Sequence, residues 1–262
     1  MLAVRNWIAW LFVGMAVAVS GVASADPVPV RHREGLVHGF LTLRTLNGDL
    51  LATGDLVQHA SGDRVTTRLT YRFKDGSTHD ETTVFSQRGS FRLISDRLVQ
   101  KGPAFDQPLD MSIDTASGQV TVRYKDDKGA DKVESDRLDL PPDVSNGLVP
   151  TLLKNIVGGG PVPTLSFVAA TPKPRLVKLA ISTAAADPFS IAGSPRKATH
   201  YVIKVEIGGI AGVVAPILGK QPPDTHVWVL GGDAPAFVKS EGPLFNGGDA
   251  WRTELTSPVW PK

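Results

Sequence analysis

His79, Asp80 and Glu81 form the densest group of side chains able to bind a metal or move a proton. On an extended strand, His79 and Glu81 share one face and Asp80 points the other way. A third ligand could come from a neighbouring strand. However, His32, His38, His59, His200 and His226 show no metal-ligand spacing. The expected setting is a solvated strand just past the Asp75-Gly76 turn, with no metal and no cofactor. Asp110 and Asp114 share a strand face, with Ser112 between them. Acid–base work by such a pair needs a pocket, and the opposite face carries Met111 and Ile113, so an outer face is expected. Ser194-Pro195-Arg196-Lys197 spells S-x-x-K, a motif that works on a helix; Pro195 and the strand-like run after it point to a turn. There is no G-x-S-x-G elbow, H-E-x-x-H pair or phosphate-binding loop. The absence of cysteine excludes a thiol nucleophile, a disulfide framework, a cysteine-built zinc site and a cysteine lipid anchor. No catalytic residue is assigned, and an enzyme is the less favoured class.

The elements around these residues are more informative. The chain has 262 residues, with 28 Lys plus Arg against 26 Asp plus Glu, and the two signs are interspersed. A nucleic-acid partner therefore has no electrostatic footprint. Residues 1–25 read as a signal peptide: Arg5, an apolar core from Trp7 to Val19, and a small-x-small ending at Ala23-Ser24-Ala25. The expected mature protein starts near Asp26 and is periplasmic or secreted. Residues 26–35, with Pro27 and Pro29, read as a flexible leader.

From Leu36 to Leu140 the rhythm is set by glycine. Turn signals fall at Asn47-Gly48, Ser61-Gly62-Asp63, Asp75-Gly76, Arg88-Gly89, Gly102-Pro103, Ser117-Gly118 and Lys128-Gly129. In Arg64–Phe73, Val65, Thr67, Leu69, Tyr71 and Phe73 alternate with Arg64, Thr66, Arg68, Thr70 and Arg72, a half-buried strand. This spacing predicts strands of about 9–11 residues, longer than an immunoglobulin-type sandwich uses. A mainly β fold is expected: a long-stranded antiparallel meander curled into a sheet or half-barrel. An outer-membrane barrel has strands of similar length. It is disfavoured by Ser77–Thr82, polar on both faces, and by the charged run 126–137.

Leu140-Pro141-Pro142-Asp143 ends the meander. Asp143 or Ser145 can cap a short helix from Val144 to about Asn155, which Gly158-Gly159-Gly160-Pro161 stops. The predicted organisation is meander plus helix over 36–157, a Gly/Pro linker at 158–163, and a second β-rich half at 164–262 that either completes the same sheet or forms a second lobe. Its strands are Thr164–Ala170, Arg175–Thr183, Lys197–Ile207, Thr225–Leu230, Ala236–Glu241 and Trp251–Leu255. Ile207–Gly219 is the most apolar stretch of the mature chain. It reads as a buried turn, or as a flap able to touch a ligand, a membrane or an envelope protein.

Tyr71, Phe73, Phe85, Phe91 and Trp228 are the candidate apolar lining of the concave face, though the same residues could equally fill a core. The runs Tyr71-x-Phe73-x-Asp75-Gly76, Glu81–Ser86, Phe91-Arg92-Leu93, Pro108-Leu109-Asp110, Leu140–Asp143, Gly219–Asp224 and Ala236–Gly242 resemble a group of uncharacterised exported bacterial β-rich proteins. That resemblance brings no activity and no site residues. In architecture the chain is loosely similar to LolA/LolB-type lipoprotein carriers, whose curved half-barrel holds acyl chains. The expected function is a periplasmic, non-enzymatic binding protein for an apolar or lipid-like ligand. The alternatives are an envelope scaffold or protein-interaction module, and an unrecognised hydrolase using His79 and Glu81.

Overall fold

The computed structural model describes residues 27–156, 163–191, 194–206 and 222–256. The predicted signal peptide, most of the Gly/Pro linker and the Ile207–Gly219 stretch lie outside the described residues.

Among the described residues fifteen strands form one antiparallel sheet that is not closed. The first half supplies β1 (Val37–Thr45), β2 (Leu50–Ser61), β3 (Arg64–Phe73), β4 (Thr78–Arg88), β5 (Ser90–Lys101), β6 (Leu109–Asp114), β7 (Gln119–Lys125) and β8 (Asp131–Arg137). The second half supplies β9 (Leu165–Ala169), β10 (Arg175–Thr183), β11 (Asp187–Ile191), β12 (Ser194–Glu206), β13 (Thr225–Leu230), β14 (Ala236–Pro243) and β15 (Ala250–Thr256). The meander runs in strict succession from β8 to β1; β1 then pairs with β15, and the sheet continues through β14, β13, β12 and β10 to β9. The long β12 also pairs with β11 through its first residues. All seven predicted turn glycines, from Gly48 to Gly129, have positive φ between 60° and 100°, the conformation that tight connections between long strands require. Ser194–Lys197 belongs to strand β12, not to a turn, because β11, unsuspected on account of Pro188, pairs alongside it.

The predicted helix is shorter than expected. A 3-10 turn, Asn146–Leu148, leads into α1 (Val149–Leu153), with Pro150 in its first turn. Residues 143–145 are engaged elsewhere. Ser145 N–H donates to Ser166 O (2.9 Å) and Ser166 N–H to Asp143 O (3.3 Å), so this stretch lies beside β9. The two predicted caps are used there as well: Ser145 Oγ donates to Ser166 O, and Asp143 accepts from Ser166 Oγ and pairs with Lys178 Nζ. Asn146 completes the clamp with a positive φ of 27°. Its side-chain amide bonds both backbone groups of Val168, at 3.0 and 3.1 Å, much as a strand partner would.

Three apolar clusters fill the inner face. Leu148, Leu152 and Leu153 pack with Val65, Phe85, Phe91, Leu179, Tyr201 and Val227. Val144 and Val168 pack with β5, β6 and β7 through Leu98, Met111, Ile113 and Val122. Tyr71, Phe73 and Phe105 pack with Leu41, Leu43 and Trp251. Burying each such side chain contributes about 1.5–3 kcal/mol. The outer face carries ion pairs instead, Arg68–Asp80, Arg72–Asp55 and Arg97–Asp110 among them. Each exposed pair contributes only about 0.2–1 kcal/mol, but together they make a surface suited to water.

One residue lets the inner face close up. Tyr71 reaches across β2 and β1 to donate its hydroxyl to Thr253 Oγ1 at 3.0 Å. Its ring crosses Gly54, where a Cβ would sit 2.6 Å from the ring carbons. Gly→Ala within a strand ordinarily stabilises by about 0.5–1 kcal/mol. Here Gly54→Ala is expected to destabilise by about 1–3 kcal/mol in urea unfolding, and to lose that penalty when Tyr71 is replaced by Ala. Equal effects in the two backgrounds would contradict this packing.

Candidate ligand-binding site

The leader is not loose. Val30 N–H donates to Gly89 O and Phe91 N–H to Val28 O, each at 2.9 Å, while Glu34 N–H donates to Gln87 Oε1 at 2.7 Å. Asn155 Oδ1, just past α1, accepts from the N–H groups of Arg31 (2.9 Å) and His32 (2.7 Å), and Asn155 Nδ2 donates back to Thr151 O. These bonds draw residues 27–36 across one end of the curled sheet. The sequence hid this because proline and charge are equally the signature of a loose terminus.

Between the leader, α1 and the nearby strand ends lies a cavity of about 580 Å³. Val37, Gly39, Leu56, Phe237 and Leu255 give it apolar walls, and Arg31, Arg33 and Lys154 stand around it with Glu34 and Asp233. Lys154 Nζ lies 2.5 Å from Glu34 Oε1, which is buried, and Gln58 Nε2 donates to the other oxygen at 2.9 Å. Arg33 is held by Asp63 at 2.9 Å. Arg31 makes no ion pair among the described residues. A smaller cavity of about 160 Å³, lined in part by Leu153, Ile156 and Tyr201, shares His32, Lys154 and Pro235 with the first. Exposed Leu36, Val37, Phe40 and Leu255 lie around the same end of β1 and β15.

None of the five predicted lining residues borders either cavity. Phe85 and Phe91 are packed under α1, with ring centroids 6.0 Å apart. Tyr71 and Phe73 lie in the cluster with Phe105 and Trp251. Trp228 is buried too, but outside the cluster that takes its neighbours Val227 and Val229. There it stacks on His200 at 4.2 Å, carries Lys239 Nζ 4.0 Å over its ring, and donates Nε1–H to Asp187 Oδ2 at 2.6 Å. His200 Nε2 and His226 Nδ1 lie 2.9 Å apart.

The chemistry-bearing groups are placed differently from expectation. His79 is buried, not solvated, with Nδ1 3.1 Å from Gln100 Nε2 and Nε2 without a partner. Burial, only partly offset by Asp80, pulls its pKa down to about 4. Glu81 lies on the same inner face, and the residue that joins it is Asp96 of β5. Asp96 accepts from Thr83 Oγ1 at 2.7 Å and from the backbone of Gly147; its Oδ2 has no partner. Burial pushes Asp96 up to about 6. Burial and then the charge of Asp96 push Glu81 well above the usual carboxylate range. The pair is roofed by the Gly147 backbone and borders neither cavity. Asp110 is outward, bonded by Arg97, and Asp114 caps the turn at Ser117. Among the described residues no three His, Asp or Glu side chains are grouped to hold a metal, and no helix is long and apolar enough to cross a membrane.

Asn155 decides whether this cavity has a wall. Asn155→Ala is expected to cut hydrogen-exchange protection at Arg31 and His32 by about ten-fold or more while leaving β3 and β4 unchanged, since two backbone donors lose their acceptor. Unchanged protection at both amides would show that the leader is held by other contacts. Comparison of this chain with family models, with curated proteins and with solved structures yields no match.

Proposed function

We propose that this chain is an exported, non-enzymatic binding protein for an amphipathic, lipid-like ligand with an anionic end, and that the cavity between the leader, α1 and the nearby ends of β14 and β15 holds it. The observation that carries this reading is the combination of apolar walls (Val37, Leu56, Phe237 and Leu255) with Arg31, which makes no ion pair among the described residues, beside the Arg33–Asp63 and Lys154–Glu34 pairs. Pockets that take small ligands are mostly apolar with a few polar groups that fix orientation. A volume of about 580 Å³ falls within the range such ligands occupy. The predicted signal peptide supports this reading, because an exported carrier would shield a lipid-like ligand from water.

Hydrolysis gains little support, because the Glu81–Asp96 pair lies beneath a peptide group and not in a cleft. An envelope-interaction role is favoured by one observation, the exposed Leu36 and Phe40 beside the cavity mouth. Pull-down from periplasm with a stoichiometric protein partner and no lipid would favour it.

The expected results for ligand binding are co-purifying lipid in native mass spectrometry and saturable binding of a fluorescent fatty-acid probe. Leu255→Glu and Arg31→Glu, both at exposed or rim positions, should each weaken that binding about ten-fold or more without loss of fold, a change of about 1.4 kcal/mol. A lipid-free protein with no saturable probe binding would sink the reading.

A further inference from the structure

The Glu81–Asp96 pair lies directly beneath the only helical segment among the described residues. A Cβ on Gly147 would overlap Thr83 Oγ1 and stand 3.0 Å from Asp96 Oδ1 and 3.1 Å from the carboxyl carbon of Glu81. The peptide backbone of the 3-10 turn therefore rests on two carboxyl groups with no side chain between. Asp96 Oδ1 is satisfied by Thr83, and Gly147 also bonds to the carboxyl group, but Oδ2 is sealed without a partner. A buried acid arranged in this way tolerates one negative charge poorly and two worse.

We propose that Asn146–Leu153 is a pH-sensitive plug, docked on the inner face while the Glu81–Asp96 pair retains a proton and released when the pair loses it. Among the described residues the surroundings supply no compensating cation. On β4 the nearest titratable neighbour is His79, neutral above about 4. On β3 it is Tyr71, which burial keeps protonated. β6 contributes Met111 and Ile113, cross-strand from Leu98 and Asp96. Asn146, Gly147 and Leu148 carry no charge. Arg68, Asp80, Arg97 and Asp110 pair with one another on the outer face. The flanking cations are engaged elsewhere, Lys178 with Asp143 and Lys154 with Glu34.

The sign follows from the direction of the shifts. Both carboxyls hold their protons more tightly folded than unfolded. Their contribution to stability is therefore full in acid and is lost as pH rises through about 6 and beyond. Release would uncover Leu148, Leu152 and Leu153, all now buried, and would move Lys154 from the wall of the cavity. That last consequence rests on the proposed binding role; the release itself does not.

Hydrogen exchange of the full chain, corrected for intrinsic rates, tests this at about pH 6 and about pH 9. The expected result is roughly a ten-fold or greater loss of protection over residues 146–153 at the higher pH, with β1–β3 unchanged. Glu81→Gln, which mimics the protonated acid, should abolish that loss. Asp96→Asn, which keeps an acceptor for Thr83 and Gly147, serves if Glu81→Gln does not fold. Equal protection at both pH values in the unmodified protein, or a loss that these variants leave intact, would overturn the proposal. A normal plug response in a protein that binds no lipid would overturn the ligand reading alone.

Discussion

Among the described residues, an open sheet of fifteen strands has an inner face to bury and no second sheet to bury it against. The segment Asp143–Asn155 meets that constraint. It leaves the β8 edge, lies beside the β9 edge, and then crosses the inner face. Each end is fixed by side chains acting on backbone: Ser145 and Asn146 bond Ser166 and Val168, and Asn155 bonds Arg31 and His32. Between them Leu148, Leu152 and Leu153 join strands from both halves into one cluster. A helix of five residues has no independent stability; it persists because the sheet needs it and holds it.

The polar pair beneath that segment follows from one extra residue. Val84 pairs with Ser95 and Phe85 with Leu93, so Ile94 is bulged out of β5. Before the bulge Phe91 and Leu93 face inward; after it Asp96, Leu98 and Gln100 do. Thr115 supports the bulge by donating Oγ1–H to Leu93 O and Ile94 O, at 2.9 and 3.0 Å. A one-residue shift inverts every later side chain of a strand. Without it Asp96 would face water and Glu81 would have no buried neighbour.

This explains what was legible in the sequence. The turn glycines, the period-two pattern of Arg64–Phe73 and the apolar residues after Pro142 expose the meander and the helix, because each depends on local chemistry. That His79 and Glu81 share a strand face was visible as a pattern. Its burial was not, since it depends on what β5 and Gly147 place against it. The bulge at Ile94 leaves only a break in alternation between Leu93 and Leu98. Gly54 and Gly147, needed because another group passes close, carry no local mark at all. The face of Trp228 was hard to read for a related reason: a bulge between Trp228 and Val229 breaks the alternation within Val227–Leu230, where every residue is apolar. The aromatics of β3, β4 and β5 do face inward, but they are packed in the clusters of the interior, whereas the two cavities described lie by the leader and the end of α1.

On the proposed reading, ligand space lies at the leader end of the sheet and not in its interior. Backbone chemical-shift mapping during titration with a medium-chain fatty acid distinguishes the two places. The expected shifts are concentrated at Arg31–Val37, Lys154 and Asp233–Phe237. Shifts concentrated at Tyr71, Phe85 and Phe91, with those segments unmoved, would contradict it.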